Sequence, residues 1–184
     1  MARLRRAAEY FGYPFHLQHL QRTLDHALAA PPHTPQRIRI SLDPTGHIAI
    51  ERAPLPDPAT NPTHIALART PIDTRTPYLF HKTTRREHYA QKRAEHPDAH
   101  DVLLWNENEE ITETTIANIA ILINGRWTTP PIASGLLPGV MREELLARGD
   151  WIENPIPLSS LAPNTPLQLA NALRGIWTAT LSTE

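Results

Sequence analysis

The apolar segment Ile116–Ile123, interrupted only by Asn118, constrains the fold more than any other part of the chain. A strand this apolar is covered on both faces. The dipeptide Asn124-Gly125 follows directly and is a strong signal for a two-residue hairpin turn, so the chain is expected to return through Arg126-Trp127-Thr128. Asp101–Trp105 is a second strand of the same kind. The sequence therefore predicts a sheet with buried central strands.

Helices and further strands are predicted around this sheet. Two helices are predicted at the N-terminus, and the second is amphipathic because its leucines lie on one face. A hairpin is predicted next, because the turn Asp43–Gly46 separates two segments in which apolar and polar residues alternate. Gly149 is the expected stop of a helix that begins at Gly139. Together the elements predict an α+β protein of two lobes, residues 1–78 and 79–184. The predicted helices are Ala2–Tyr10, His16–Ala29 and Gly139–Arg148, and the predicted strands are Arg37–Leu42, His47–Glu51, His64–Ala68, Leu167–Asn171 and Ile176–Thr180.

Composition and charge exclude several classes of function. A net charge of −1 and a pI near 6.8 provide no global basic field for nucleic acid. No apolar run approaches the roughly 18 to 20 residues that cross a bilayer, and the N-terminus lacks a signal-peptide core. We therefore expect a soluble cytoplasmic protein without nucleic-acid or membrane partners. The absence of cysteine excludes thiolate catalysis, and the ten histidines lack carboxylates at a metal-binding spacing, so no metal is expected.

Lysine is rare in this chain, since Lys82 and Lys92 are the only lysines among the 18 cationic residues. Lys82 follows the apolar segment Tyr78–Phe80 and precedes a helix predicted to run from Arg85 to about Glu95, behind a Thr-x-x-Glu capping box that starts at Thr84. Apolar neighbours and a nearby helix N-terminus both disfavour the ammonium form, which predicts a lowered pKa and a reactive amine. A solvated surface charge is the alternative for an isolated lysine.

Four segments, in order, resemble the motifs of the class IV aminotransferases, which are pyridoxal-phosphate enzymes of fold type IV. The last of them resembles the aminodeoxychorismate lyase branch of this family, particularly the lyase domains fused to aminodeoxychorismate synthase. The resemblance implies a two-lobed α+β fold like that of D-amino-acid aminotransferase, with pyridoxal 5′-phosphate as cofactor. The segments are Phe80–Arg86, Asp101–Glu107 continued by Ile111–Asn118, Thr129–Arg142, and Asn171–Gly175.

By this resemblance, Lys82 is the lysine that binds the cofactor covalently and then serves as acid and base. Glu113 would face the pyridine nitrogen and keep the ring protonated, which strengthens the ring as an electron sink. Arg86 would approach the phenolic oxygen of the cofactor, although an arginine on a helix surface is the alternative interpretation.

The phosphate and substrate contacts are implied in the same way. Gly139, Val140 and Met141 would provide backbone N–H groups to the cofactor phosphate, a role that suits a helix N-terminus. Asn171 and Ala172 would complete the phosphate site. Arg174 is a candidate for binding a substrate carboxylate, because the guanidinium fork matches that group.

The implied reaction is the conversion of a small-molecule substrate, 4-amino-4-deoxychorismate, to 4-aminobenzoate and pyruvate in folate biosynthesis, by a homodimer. A branched-chain or D-amino-acid aminotransferase would use the same lysine and glutamate. A non-catalytic remnant or interaction partner, with weak or no cofactor binding, is a third interpretation. Family members begin with a further stretch that holds an arginine for the phosphate. The resemblance therefore implies a truncated small lobe, or another polypeptide that supplies the stretch.

Overall fold

The computed structural model describes residues 1–30, 33–55, 63–162 and 165–182, and divides into two compact units, Met1–Pro58 and Ala59–Glu184. The boundary lies earlier than the predicted one near residue 78, because the strand Thr63–Leu67 pairs within the sheet of the larger unit. Within the described residues, no helix combines the length and the apolar character that crossing a bilayer requires.

The smaller unit contains the two predicted helices and the predicted hairpin. Asp43 shapes the hairpin turn, because its Oδ1 accepts hydrogen bonds from the backbone N–H groups of Thr45 (2.8 Å) and His47 (3.0 Å). Arg52 donates to the carbonyl oxygens of Ala27 (3.0 Å) and Ala30 (3.2 Å), which ties the hairpin to the second helix. The elements are α1 (Ala2–Phe11), α2 (Leu17–Ala27), β1 (Gln36–Leu42) and β2 (Ile48–Pro54).

The larger unit contains every other strand predicted from the sequence, together with two strands that were not predicted, Ile111–Thr114 and Trp151–Glu153. The second of these pairs with the hairpin strand through Trp127. The elements are β3 (Thr63–Leu67), α3 (Glu87–Glu95), β4 (Asp101–Trp105), β5 (Ile111–Thr114), β6 (Asn118–Ile123), β7 (Arg126–Thr129), α4 (Val140–Arg148), β8 (Trp151–Glu153), β9 (Leu167–Asn171) and β10 (Gly175–Leu181).

The predicted capping box before α3 is wrong. The helix begins at Glu87, with Arg86 at the N-cap position and no side-chain cap. The hydroxyl of Thr83 instead accepts a hydrogen bond from the backbone N–H of Arg85 (3.2 Å), so a local turn occupies the positions where a first helical turn was predicted.

Eight strands form one sheet in the order β5-β4-β3-β10-β9-β6-β7-β8, and β5 also pairs with β6. The six strands from β5 to β6 therefore close on themselves, and the closing register pair is Glu113 with Asn118. The side chains of Ile65, Leu103 and Ile119 are fully buried in the apolar cluster of this ring. The sheet is thus continuous around a core and has no open edge between β5 and β6.

Strand β6 is covered on both faces over its first four residues, as its apolar sequence predicts, and becomes exposed beyond them. Ile119 and Ile121 belong to the cluster inside the ring, whereas Ala120 packs with Leu145 of α4 and with Trp151 of β8. Helix α4 therefore lies against the outer face of the sheet.

Arg142 anchors α4 to the end of the sheet. It is only 1% exposed, its Nη2 donates to the carbonyl of Pro130 (2.7 Å), and it forms an ion pair with Glu153 on β8. Gly149 ends the helix in the left-handed conformation, with φ of 76°. The N-terminus of α4 is therefore fixed in position by contacts along the length of the helix.

Gly139, at the N-cap of α4, lies against the side chain of Asn118. A Cβ at position 139 would lie 2.0 Å from Asn118 Oδ1. The amide of Asn118 is itself held in place, since its Nδ2 donates to Leu137 O (2.9 Å) and to Glu113 Oε2 (3.1 Å). Glycine is needed here because of this close approach and not because of its backbone angles.

We predict that Gly139→Ala lowers the free energy of unfolding by about 1–3 kcal/mol, because the added methyl group displaces the Asn118 amide and leaves buried polar groups unpaired. Urea denaturation measures this change. Val140→Ala is the matched control, since Val140 is the next residue and is 49% exposed, and it should change the stability by less than about 0.5 kcal/mol. Equal stability of Gly139→Ala and the wild type would contradict the prediction.

Candidate active site

Lys82 lies in the irregular segment between the short 3-10 helix Pro77–Leu79 and α3, where its side chain is exposed. The predicted desolvation of the amine is therefore wrong, because Leu79 and Phe80 pack in the apolar cluster between α3 and β4 and leave the side chain of Lys82 exposed. Lys82 lines a narrow pocket of about 10 Å³, roughly the room of one water molecule. We call it the Lys82 pocket; its lining residues are Tyr78, His81, Lys82, Thr83, Arg85, Arg86, Tyr89 and Leu137.

Glu113, on β5, is a buried carboxylate surrounded by hydrogen-bond donors. The hydroxyl of Tyr89 (2.6 Å) and the backbone N–H of Leu137 (3.2 Å) donate to its Oε1, and Asn118 Nδ2 (3.1 Å) donates to its Oε2. Burial raises the pKa of Glu113 to about 8, although the bonds from Tyr89 and Leu137 and the nearby charges of Lys82 and Arg86 lower it. The site is built for a carboxylate, yet it lacks enough positive charge to keep that carboxylate ionised at neutral pH.

The structure brings Lys82, Arg86 and Glu113 to one place. Tyr89 and Leu137 line the Lys82 pocket and also donate hydrogen bonds to Glu113, so the carboxylate lies directly behind the pocket wall. The guanidinium carbon of Arg86 lies 4.6 Å from the centroid of the Tyr89 ring, a cation–π contact. Lys82 and Arg86 thus line the pocket, and Glu113 lies behind its wall.

Arg86 is positioned by the connection between β5 and β6. Its Nη2 donates to the carbonyl of Thr115 at 2.6 Å. Thr115 is in turn held by the buried Asp101, whose Oδ1 accepts hydrogen bonds from the hydroxyl and the backbone N–H of Thr115 and from Val102 N. The orientation of Arg86 therefore depends on a carboxylate at the start of β4.

The predicted phosphate residues lie on two elements near this connection. Gly139 precedes Val140 and Met141 in the first turn of α4 and contacts Asn118. Asn171 shapes the turn that includes Ala172, because its Oδ1 accepts the N–H groups of Leu173 and Arg174, and its Nδ2 donates to Ile116 O at 3.3 Å. The β5–β6 connection therefore joins the turn at Asn171 to the neighbourhood of Glu113.

Arg174 is placed differently from the other predicted residues. Its guanidinium carbon lies 5.8 Å from the centroid of the Trp177 ring, and neither residue lines the Lys82 pocket. Its proposed contact with a substrate carboxylate is not supported by any described contact with the residues of that pocket.

Tyr89, Asn118 and Leu137 were not identified from the sequence as site residues. Tyr89 carried a usable signal, because it follows Arg86 by three positions and side chains at this spacing lie on one face of a helix. Asn118 and Leu137 carried none, since both reach Glu113 only through the pairing of β5 with β6 and the path of the chain before α4.

The residues present fit pyridoxal phosphate. Burial raises the pKa of Glu113 in spite of the nearby charges of Lys82 and Arg86, and a protonated pyridine would add the positive charge that favours the carboxylate. Lys82 offers an exposed amine for the aldehyde, and α4 offers a helix N-terminus for the phosphate. Over the described ranges, no group of three histidine, aspartate or glutamate side chains could hold a metal ion.

We predict that Tyr89→Phe raises the pKa of Glu113 further, by about one unit, because a hydrogen bond to a charged group is lost. Infrared titration of the carboxyl band in the cofactor-free protein measures this, with Glu113→Gln used to assign the band. Tyr10→Phe, at a 59% exposed tyrosine, is the control.

Protein stability offers a second measurement of the same shift. Between pH 4.5 and about 8 the folded protein retains a proton on Glu113 that the unfolded chain releases. Its contribution to the unfolding free energy therefore falls as pH rises through this window. In Tyr89→Phe the free energy of unfolding should continue to fall to a higher pH than in the wild type. The same pH range in both proteins would contradict the role of Tyr89.

Known proteins resemble this chain over most of its length. The family model for amino-transferase class IV matches residues 1–181. A Schizosaccharomyces pombe protein provisionally named an aminodeoxychorismate lyase is 34% identical over 123 residues, which cover 64% of this chain and 53% of the relative. A Thermotoga maritima protein provisionally named a branched-chain-amino-acid aminotransferase is 30% identical over 159 residues, which cover 84% of this chain and 58% of the relative. The chain thus spans little more than half the length of these two relatives.

A solved structure agrees with the fold. A Mesorhizobium loti protein provisionally named an amino-acid aminotransferase superposes with a TM-score of 0.87 at 36% sequence identity, covering 98% of this chain and 89% of that one. The arrangement of sheet and helices is therefore that of this solved structure. The chain belongs to the class IV aminotransferase family and has the α+β fold of the fold-type IV enzymes.

Proposed function

We propose that this protein is a pyridoxal-phosphate-dependent lyase that converts 4-amino-4-deoxychorismate to 4-aminobenzoate and pyruvate. The observation that carries the proposal is the placement of Lys82 in front of, and the buried Glu113 behind, a wall formed by Tyr89 and Leu137. The lyase reaction, among those of the family, is supported by the resemblance of Asn171–Gly175 to the lyase branch and by the name of the Schizosaccharomyces pombe relative.

The residues divide the work of holding the cofactor. Glu113 would stabilise a protonated pyridine nitrogen, and the positive charge of that nitrogen would in turn favour the ionised form of Glu113. The N–H groups of the first turn of α4 would bind the phosphate, and Arg86 would stabilise negative charge at the phenolic oxygen. When bound, pyridoxal phosphate supplies the electron sink for cleavage of the C–H bond.

Lys82 carries the proton transfer. With the substrate amine held at the cofactor, the amine of Lys82 would remove the proton from the amine-bearing ring carbon. Loss of the enolpyruvyl group then makes the ring aromatic. The enolpyruvyl fragment gains one proton as it becomes pyruvate, so the proton lost from the ring is balanced and no second substrate is consumed.

The two lysines allow a direct test of the nucleophile. We predict that pyridoxal phosphate gives a visible adduct that borohydride fixes on Lys82 and not on Lys92. Lys92 is 9% exposed, and its Nζ donates to Thr70 O (2.9 Å) and Glu95 Oε1 (3.1 Å), so its amine is engaged. Peptide mass mapping of the reduced protein measures the labelling. Label on Lys92, or equal label on both, would contradict the assignment, and no label at all would favour a non-catalytic remnant.

Dependence on an acceptor distinguishes the lyase from an aminotransferase. We predict that the protein loaded with pyridoxal phosphate forms 4-aminobenzoate and pyruvate from 4-amino-4-deoxychorismate in many turnovers without a keto acid. An aminotransferase requires an amino-group acceptor for each cycle, as expected if the function follows the Thermotoga maritima relative. Absorbance of 4-aminobenzoate follows the reaction, and Lys82→Ala is the negative control. Turnover of branched-chain or D-amino acids only when 2-oxoglutarate is present would refute the lyase proposal.

A further inference from the structure

The charged side chains that line the Lys82 pocket are all cationic. Lys82, Arg85 and Arg86 belong to the lining together with His81, and none of the described lining residues carries a carboxylate. Glu113, the carboxylate assigned to the site, is buried behind Tyr89 and Leu137 and is only 4% exposed. The approach to the amine of Lys82 is therefore positively charged, which favours an anionic molecule.

Arg85 is held at this pocket by Tyr78. Its Nη1 donates to the Tyr78 hydroxyl at 3.0 Å, and its guanidinium carbon lies 5.4 Å from the centroid of the Tyr78 ring. The backbone is also fixed, because Thr83 Oγ1 accepts from Arg85 N and donates to Arg85 O. Tyr78 thus orients the guanidinium and Thr83 fixes the backbone, although the side chain is exposed.

Arg85 and Arg86 each direct one side-chain donor at the protein, but Arg85 is exposed whereas Arg86 is half-buried. Arg86 contacts Thr115 and Tyr89, and so is committed to the wall of the site. A guanidinium has five N–H donors, and Arg85 directs one at Tyr78. Its remaining donors form a fork of the geometry that binds a carboxylate in a bidentate manner.

We propose that Arg85 binds one carboxylate of the substrate, in a pocket whose cationic lining favours amines with more than one carboxylate over amino acids with an apolar side chain. This inference rests on the proposed function, since it places the reacting amine at Lys82. It also transfers to Arg85 the role that the sequence resemblance assigned to Arg174, whose guanidinium stacks on Trp177 outside this pocket.

Binding of carboxylates that lack an amine tests the proposal without the reaction. Isothermal titration calorimetry of the protein loaded with pyridoxal phosphate compares isophthalate, which has two carboxylates, with benzoate, which has one. Arg85→Gln should weaken isophthalate binding by about tenfold or more, and Arg85→Lys, which keeps the charge but loses the fork, by an intermediate factor. Arg126→Gln removes an exposed arginine of β7 and should leave binding unchanged within about twofold.

Kinetics with 4-amino-4-deoxychorismate give a second readout. Arg85→Gln should raise KM by about tenfold or more and leave kcat within about twofold, because a contact made equally in the ground state and the transition state is removed. Urea denaturation of each variant checks that the change is not a loss of folding.

Several outcomes would overturn the inference. They are equal isophthalate affinity in the wild type and Arg85→Gln, no isophthalate binding to the wild type, equal weakening of benzoate and isophthalate, or a loss confined to Arg174→Gln. Borohydride labelling of Lys82 separates this failure from failure of the proposed function. If Lys82 is labelled in both the wild type and Arg85→Gln while isophthalate affinity is equal, the inference fails and the cofactor site stands. If the wild type is not labelled, the proposed function fails as well.

Discussion

The structure depends on the burial of one carboxylate at the position where the sheet closes. Glu113 and Asn118 form the register pair that joins β5 to β6, and their side chains are also hydrogen-bonded. A buried carboxylate is costly unless its oxygens are paired, so the closing strands and the residues around them are arranged to supply donors. Strand closure and the chemistry of the site therefore involve the same two residues.

This arrangement explains why residues from distant parts of the chain meet here. Tyr89 comes from α3, Leu137 from the segment before α4, and Asp101 from the start of β4, where it holds Thr115 and thereby Arg86. Each of these residues is hydrogen-bonded to a residue of the closed ring of strands or of the β5–β6 connection. Glu113, which would contact the pyridine ring, therefore lies on a paired strand, whereas Lys82 and Leu137 lie in irregular segments.

Much of this fold could be predicted from the sequence, because its signals are local. The apolar run of β6 and the Asn124-Gly125 turn after it correspond to the observed β6–β7 hairpin. Strand β8 gave no such signal, since it is three residues long and exists because Trp151 pairs with Trp127 and packs under α4. The start of α3 was misplaced because Thr83, one residue before the predicted cap, forms the competing turn.

The site shows the same division. Lys82, Arg86 and Glu113 could be located by motif, but the exposure of Lys82 could not, because it depends on how the segment before α3 packs. The partners of Glu113 could not be predicted without knowing which strands pair, and strand pairing is a long-range property of the chain.

Arg142 fixes the orientation of α4 through its contacts with Pro130 and Glu153. An anion that binds at the start of this helix meets N–H groups that are already ordered, so little conformational entropy is lost on binding. A change at Glu153, on the last strand of the sheet, would then weaken anion affinity by loosening the helix, without touching the anion itself.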